Sequence, residues 1–319
     1  MADTTEGDTD VLYLGVLVPG LMALIAGLVI HSFIIGVNVS DWWRGRSVTP
    51  VDHIVTSLGI LRMCIQCVSI LGFLLYGFFL RSLKARVILV ITNTVYNVLI
   101  FTNIWLTSLL SIVYYLKISN LHTRLFLYLR RMMLPRTGRL IVALILFCAL
   151  YSLMSVLLLI SNKSNKGKYN TTSNNEFIGC NSIHSTYIIP IGTFLPLIFN
   201  FTSSVLLFVS LYHHTTRMKM SSNLSINLET YYSTMRFVGF TFLYNTVYFM
   251  GHFTNVFYLC FYCTTIEWVY VAVGFLPVLH SAYLVQGTAK LRIQMSKVVQ
   301  NIIDFFTPKK VAEDGNNIE

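Results

Sequence analysis

Charged residues are scarce in this 319-residue chain: Lys, Arg, Asp and Glu make up 11% of it, against about 25% in a typical soluble domain. Only 13 residues are acidic, and 55% of the chain is apolar. With so few charges over this length the surface itself must be apolar, in keeping with the mean hydropathy of +0.66. The composition excludes an ordinary water-soluble protein and indicates a polytopic membrane protein.

Motifs of catalysis and cofactor binding are lacking as well. The sequence has no Gly-Lys-Ser/Thr phosphate loop, no His-Glu-x-x-His zinc motif and no nucleophile elbow. No group of His, Cys and Asp residues has the spacing of a metal site. Carboxylates, which proton-coupled transport commonly needs within the membrane, are nearly absent from the apolar runs, with Glu267 at the end of one of them. We therefore expect no enzyme, no cofactor and no metal.

What the chain does have is a series of continuous apolar runs, each long enough to cross a hydrocarbon core of roughly 30 Å as a helix of about 20 residues. They are too long and too continuous for the strands of a membrane barrel, and helices satisfy their own backbone hydrogen bonds in lipid. The predicted helices are 11–37, 54–79, 87–116, 139–160, 185–211, 233–258 and 267–287. The prediction is an all-α bundle of seven transmembrane helices (11–287), with segment 1–10 before it and a tail, 288–319, after it.

Basic residues orient this bundle, because Lys and Arg accumulate on the cytoplasmic side of membrane proteins. Most of the 23 Lys and Arg residues follow the first, third and fifth predicted helices or lie in the tail. The N-terminus is therefore expected outside and the tail inside. The net charge of +10 is then a signal of topology, and nucleic-acid binding need not be invoked.

Glycosylation sequons agree with that orientation. The loop after the fourth predicted helix contains Asn162 and Asn170, both followed by the required hydroxyl residue, and Asn170 is favoured because Asn162 lies close to the membrane. The matches at Asn38, Asn200 and Asn223 fall in or behind the membrane on this topology and are not expected to be modified.

Arg62 lies inside the second predicted helix, where a charge at the bilayer centre costs at least ~2.5–3.5 kcal/mol unless it is paired or hydrated. It is either a polar lock that rearranges on activation or a cation that only holds helices together. His280 and Ser281 could lie in the same network. Cys64, Cys67 and Cys148 are expected to be buried and reduced. Cys180, Cys260 and Cys263 are expected near the outer face, and the sequence leaves open whether they form a disulfide.

The stretch SIVYYLKISNLHTRLFLYLRR (111–131) begins apolar and turns basic. Its spacing predicts an amphipathic helix with Leu121, Leu125, Phe126 and Leu129 on the apolar face. The opposite, wet face then carries two arginines, Arg124 and Arg131. These charges either anchor the topology, or also contact anionic lipid, or form a docking surface for a cytosolic protein.

Seven helices with an outside N-terminus are typical of G protein-coupled receptors, and particular stretches resemble one family of them. They are GLVIHSFIIGVNVSDWWRGRSVTPVDHIVTSLGILR, WLTSLLSIVYYLKISNLHTRLFLYLRRM and LPVLHSAYLVQGTAKLR. Through Asp41-Trp42, Lys117-Ile118, His280-Ser281 and Lys290-Leu291 they resemble the bitter taste receptors (type 2 taste receptors). Departures such as His31, where that family usually has Asn, indicate a divergent member.

The resemblance implies a plasma-membrane receptor that binds small, largely apolar bitter compounds from outside and activates a heterotrimeric G protein of the gustducin-like or another inhibitory class. Tyr96, Ile100 and Tyr270 match family binding positions, and Tyr244 and Tyr248 share a helix face at i, i+4. The predicted ligand-binding residues are Tyr96, Asn97, Ile100, Tyr244, Tyr248, Glu267 and Tyr270. The predicted activation and coupling residues are Arg62, Tyr114, Tyr115, Lys117, Arg124, Arg131, His214, Arg236, His280 and Ser281.

Two other readings stay open from the sequence. One is a receptor of the same architecture for a different cue, such as a pheromone receptor of the vomeronasal type. The other is a transporter or channel, against which the absence of duplicated halves and of a charged pore ring argues.

Overall fold

The computed structural model describes residues 3–79, 83–119, 123–166, 189–220, 225–262 and 266–306. Within these ranges the chain is helical apart from short turns, which confirms the all-α prediction. The helices are α1 (Asp3–Trp43), α2 (Pro50–Phe79), α3 (Leu83–Ile118), α4 (Arg124–Met133), α5 (Thr137–Lys166), α6 (Ile189–Met220), α7 (Ser225–Tyr262), α8 (Glu267–Gly287) and α9 (Ala289–Phe306), with a 3-10 turn at Leu134–Arg136 between α4 and α5.

The seven predicted segments lie, in order, in α1, α2, α3, α5, α6, α7 and α8. The first helix is longer than predicted, since it begins at Asp3, inside segment 1–10. Residues 185–188 of the fifth predicted segment lie outside the described residues. The tail was not predicted to be helical, yet its residues Ala289–Phe306 form α9.

Five candidate membrane spans are long and apolar enough by themselves: Gly15–Trp43, Pro50–Leu75, Ile91–Ile118, Arg124–Met154 and Phe194–His213. The pair Val271–Gly287 and Ala289–Phe306 counts as a sixth, bent by 96°. Because α8 alone has 21 residues, about 31 Å of helix, it is long enough to cross the core before the bend. α7 carries several Thr, Asn and His residues and is less apolar than these spans.

Specific turn residues form the connection between α1 and α2 at one end of the bundle. We call this the C-terminal end because α8 bends into α9 there. α1 ends at Trp43, and two residues later the chain turns at Gly45, whose φ of 69° suits glycine. The Arg46 amide donates to the Asp41 carbonyl at 3.0 Å. α2 starts with Pro50 at its first position, behind a reciprocal cap in which the Thr49 backbone N–H and hydroxyl reach Asp52 at 3.0 and 2.9 Å. The short connection therefore holds α1 and α2 side by side.

α3 lies at the middle of the bundle. In its apolar stretch 67% of the residues are buried, against 22% to 33% in the other four spans. Toward the C-terminal end it packs in an apolar cluster with α1, α2, α5, α8 and α9, which includes Ile54, Leu110 and Val113. Toward the opposite end of α3, Ile100 and Ile104 pack with residues of α2, α7 and α8. A helix surrounded in this way can connect sites in both halves of the bundle.

The cysteine prediction is wrong for α2. Cys148 is buried as expected, but Cys64 and Cys67 are exposed free thiols. The helical repeat explains it: Arg62, Ile65 and Gln66 face the interior, and the two cysteines fall on the outward side between them.

Two of the sequons predicted to lie in the membrane are buried. Asn38 and Asn200 are both internal hydrogen-bonding side chains and inaccessible to modification. Asn162 belongs to the end of α5, where its side chain lies outside the described ones, and Asn170 and Asn223 lie outside the described residues.

α4 is amphipathic, although its apolar face differs from the predicted one. Phe126 is buried against Tyr115, with ring centroids 5.5 Å apart, whereas Leu125 is 69% exposed, so the prediction is wrong for Leu125. Leu121 lies outside the described residues. Arg124 and Arg131 are both exposed, as expected of the wet face.

Candidate functional site

Arg62 is the centre of a buried polar network, with only 2% of the residue exposed. It extends from α2 toward α3 and α8. Its Nε donates to Asn103 Oδ1 at 3.3 Å, and its Nη1 lies 3.1 Å from His280 Nδ1 and donates to Ser281 Oγ at 2.8 Å. The structure thus brings together the three residues that the sequence grouped, and adds Asn103.

The network continues to two further helices. On α1, His31 Nε2 lies 2.9 Å from Ser281 Oγ. On α7, the Tyr248 hydroxyl accepts from Asn103 Nδ2 at 3.1 Å. One guanidinium therefore ties α1, α2, α3, α7 and α8 together, through side chains that are all buried.

Aromatic rings surround the Arg62 charge on its α7 side. The Tyr244 ring centroid lies 5.9 Å from the guanidinium carbon, within cation–π range. Tyr244 stacks on His280 at 4.2 Å and on Tyr248 at 5.8 Å between centroids. Within the described part of the chain, the ion pairs are those of Arg46 and Lys290, so only neutral groups compensate Arg62 there.

Beside this network lies a cavity of about 50 Å³. Its walls are mostly apolar and come from α1, α2, α3, α7 and α8. Arg62 and Tyr248 supply polar groups, while Ile65, Ile100 and Val273 are among the apolar ones. Mostly apolar walls with a few polar groups are the usual lining of a small-molecule site, although such sites commonly have volumes of about 300–1,000 Å³.

The predicted ligand-binding residues fall into three groups. Tyr96, Ile100 and Tyr248 line the cavity. Tyr244 lies in the aromatic stack next to Arg62, and Asn97, half-buried, is not part of the cavity wall. Glu267 and Tyr270 belong to α8, but their side chains lie outside the described ones. The α1 contribution, from Val16 to Ala23, was not predicted.

A second buried hub, Asn200 on α6, connects α3 to α7. Its Oδ1 accepts from Ser111 Oγ at 2.6 Å and from Asn245 Nδ2 at 3.0 Å. Nearby, Ser108 Oγ donates to the Pro196 carbonyl at 2.6 Å. These bonds hold α6 against α3 and α7.

At the C-terminal end a third cluster forms around Lys290, just after the 96° bend. Its Nζ lies 2.9 Å from Asp41 Oδ2 and 3.8 Å from Asp52 Oδ1, and donates to Asn38 Oδ1 at 2.9 Å. Asn38 in turn donates to Thr56 Oγ1 at 2.9 Å. Lys290 therefore holds the start of α9 against the ends of α1 and α2.

Of the predicted activation and coupling residues, Arg62, His280 and Ser281 lie in the interior network, and the others belong to the segments at or near this same end. Tyr114 packs edge-to-face on Phe237 of α7, with centroids 5.8 Å apart, so the end of α3 contacts α7 directly. Tyr115 packs on Phe126 of α4, whereas Lys117 and Arg236 are exposed. His214 belongs to α6, with its side chain outside the described ones.

Sequence reasoning assigned no role to several residues of these networks: His31, Asn103, Asn200, Asn245, Lys290 and Asp41. Their shared signal was a polar side chain within or at the end of an apolar run, which in membranes is costly unless paired. That rule was applied to Arg62 and could have found the others. Within the described residues no three His, Cys, Asp or Glu side chains are grouped as a metal site requires.

Comparison with known proteins adds an independent line. The family model "Taste receptor protein (TAS2R)" matches residues 10–302. Taste receptor type 2 member 125 of Rattus norvegicus is 26% identical over 290 residues, 85% of this chain and 89% of the relative. Member 105 of the same species is 25% identical over 305 residues, 92% and 93% of the two chains. Member 42 of Pongo pygmaeus is 27% identical over 303 residues, 91% and 94%.

The match covers α1 from residue 10 onward, α2 to α8 in full and most of α9. It also accounts for α7, which was not apolar enough to count as a span by itself. This multi-pass membrane protein belongs to the taste receptor protein (TAS2R) family, whose members are seven-transmembrane G protein-coupled receptors.

Proposed function

We propose that the protein is a bitter taste receptor of the plasma membrane, which binds small molecules from outside and activates a heterotrimeric G protein without altering the ligand. Family membership supports the receptor activity. The observation that carries the mechanism is that the wall of the cavity includes Arg62, whose hydrogen bonds reach four other helices directly or through a partner.

Signal transfer follows from this contact. A ligand in the cavity touches Tyr248, whose hydroxyl accepts from Asn103. A shift of Tyr248 changes the position of Asn103 relative to Arg62, and hence the bonds from Arg62 to Ser281 on α8. A ligand that prefers one arrangement of these bonds shifts the population toward that arrangement, by no more than its differential affinity.

The decisive experiment measures calcium release in cells that express this chain with a gustducin-like chimeric G protein, against a panel of bitter compounds. We expect saturable responses that disappear without the G protein. Liposomes containing the purified protein provide the control, because a receptor passes no ion or solute. A flux through the liposomes with no calcium response would replace this proposal with a transporter or channel.

The ligand site is proposed to include the predicted residues Tyr96, Asn97, Ile100, Tyr244, Tyr248, Glu267 and Tyr270. Tyr96→Ala and Tyr270→Ala should each raise the agonist concentration for half-maximal response by about tenfold or more, since an aromatic contact is lost. Val95→Ala is the matched control, because Val95 is adjacent to Tyr96 but exposed on the outside of α3. Unchanged potency in both Tyr variants would move the site elsewhere.

The G protein is proposed to bind at the C-terminal end, where Tyr114, Tyr115, Lys117, His214 and Arg236 contact it or control its binding. Binding at two sites of one receptor is reciprocal. A G protein that prefers the active state must raise the affinity for the agonist by the same factor as the agonist raises the affinity for the G protein. Agonist affinity measured with and without purified nucleotide-free G protein tests this. An unaltered affinity would remove the coupling proposal. Parallel assays with different Gα subunits test the gustducin-like or inhibitory class.

Orientation is proposed as N-terminus outside, with Asn170 glycosylated and Asn162 a weaker candidate. Asn170→Gln should then increase electrophoretic mobility, and enzymatic deglycosylation of the unsubstituted receptor should produce the same change. Asn223→Gln is the matched control, a sequon on the opposite side in this topology. A mobility change for Asn223→Gln alone would invert the proposed orientation.

A further inference from the structure

Arg62 presents an unbalanced charge. The residue is 2% exposed, yet its partners are an amide oxygen, an imidazole nitrogen and a hydroxyl, all of them neutral. No ion pair of the described residues includes it. A buried cation is costly to keep unless a counter-charge or water accompanies it.

Hydrogen-bond donors are in excess around this cation. Among the described residues, Arg62 Nη2 has no hydrogen-bond partner. His280 Nδ1 faces Arg62 Nη1, which can only donate, so Nδ1 accepts and the ring proton is assigned to Nε2, which also has no partner. The Tyr248 hydroxyl accepts from Asn103, so its own hydrogen is left to donate elsewhere.

Two of the residues that carry these donors, Arg62 and Tyr248, line the cavity. The Gln66 carbonyl oxygen also lacks a partner among the described residues. It lies beside Gly27 of α1, where any added side chain would clash with it, so it faces the contact between α1 and α2. The volume of about 50 Å³ exceeds the ~10–15 Å³ that a single water needs. The cavity thus has room, a positive charge and donors, within mostly apolar walls.

We propose that the cavity binds a small monovalent anion of the chloride type, held by the Arg62 guanidinium through Nη2 and by the Tyr248 hydroxyl. The anion supplies the acceptor that these donors lack and neutralises the buried charge. Because Tyr248 and Arg62 belong to α7 and α2, the anion also stabilises the arrangement in which those helices are close. The site lies in the cavity where the agonist is proposed to bind, but the anion proposal does not depend on which agonist the receptor takes.

The test uses the purified full chain in phosphatidylcholine nanodiscs, with chloride replaced by gluconate at constant ionic strength. We expect the melting temperature to rise with the logarithm of the chloride concentration above the dissociation constant, by roughly 2–4 °C over the range tested. Radioactive chloride should bind saturably under the same conditions. Benzoate is added as a competitor: displacement of chloride means that ligand carboxylates use the same site, and no displacement means that the site selects the inorganic ion.

A matched pair of variants localises the effect. Tyr248→Phe removes the hydroxyl on the cavity wall and should weaken chloride binding by roughly tenfold, the effect of one hydrogen bond to a charged group. Tyr244→Phe, one helical turn away and not part of that wall, should leave chloride binding unchanged. Equal melting temperatures in chloride and gluconate would overturn the proposal. So would chloride binding that is insensitive to Tyr248→Phe.

Discussion

The two cations that organise the bundle, Arg62 in its middle and Lys290 at its C-terminal end, are stabilised by different chemistry. Lys290 contacts two carboxylates, Asp41 and Asp52, and remains 29% exposed. Arg62 is buried and has neutral hydrogen-bond partners. The same charge thus has ionic partners near the end of the helices and dipolar partners in their interior.

The difference follows from the solvent at each depth. Near the end of a span, water and lipid headgroups lower the cost of a charge, so carboxylates can be placed there cheaply. In the interior a carboxylate would add a second desolvation cost, and the Coulomb attraction often fails to repay it. Neutral amides, hydroxyls and aromatic faces avoid that second cost. They also leave the interior network easier to rearrange.

Breaking the interior cluster should have the largest effect. Arg62→Met removes the donor from Asn103, His280 and Ser281 together. It leaves the buried acceptors Asn103 Oδ1 and His280 Nδ1 without partners, while Ser281 keeps its bond with His31. We expect a loss of about 3 kcal/mol or more in stability and little surface expression. The measurements are the melting temperature of purified receptor and surface labelling. Arg62→Lys keeps the charge but not the planar guanidinium, so its melting temperature should lie between those of Arg62→Met and the unsubstituted receptor. A methionine variant as stable as the unsubstituted receptor would mean that the network does not hold the bundle.

Asn200 is an uncharged hub, so its removal tests the interior hydrogen bonds without any change of charge. Asn200→Ala leaves Ser111 and Asn245 without their shared acceptor and should cost about 2 kcal/mol. Thermal unfolding in detergent measures it. Asn97→Ala is the control, an asparagine for which the structure gives no hydrogen bond. Equal effects of the two substitutions would contradict a specific role for the α3–α6–α7 bonds.

At the C-terminal end the ion pair of Lys290 with Asp41 should be weaker than the interior bonds. A double-mutant cycle of Lys290→Met and Asp41→Asn is expected to give a coupling of about 1 kcal/mol, because the pair is partly exposed and screened. The cycle is needed because Asp41 also pairs with Arg46. The coupling should decrease with added salt. Arg292→Gln, an exposed neighbour, should show no coupling to Asp41; a coupling equal to that of Lys290 would indicate a general charge effect.

The smallest effect on stability is expected from Arg124→Ala combined with Arg131→Ala, within about 0.5 kcal/mol, since both residues are exposed. We nevertheless expect a lower maximal G protein activation with unchanged agonist binding, because the pair lies on the free face of α4. Arg136→Ala with Arg139→Ala removes the same charge nearby and serves as the control. An inverted or unexpressed protein would assign the pair to topology, and normal signalling would assign it to lipid contact alone.

The sequence by itself determined the helices and drew attention to Arg62. Long apolar runs can only be helices in lipid, so seven segments could be delimited without knowledge of their neighbours. A lone arginine in such a run had to be buried and satisfied, which pointed to His280 and Ser281. The bend and α9 were missed because amphipathic segments at the end of a chain produce no comparable hydropathy signal.

Which face of each helix turns inward was decided only by the tertiary structure. A span that is apolar all round shows no difference between the side that faces lipid and the side that faces the bundle, so Cys64 and Cys67 were placed wrongly. Partners distant in sequence, such as Arg62 with Ser281 and Lys290 with Asp41, are chosen by the packing of whole helices. Because lipid removes the ordinary distinction between buried apolar and exposed polar residues, the sequence predicts helices that cross the membrane, while packing and polar pairing set their rotation and neighbours.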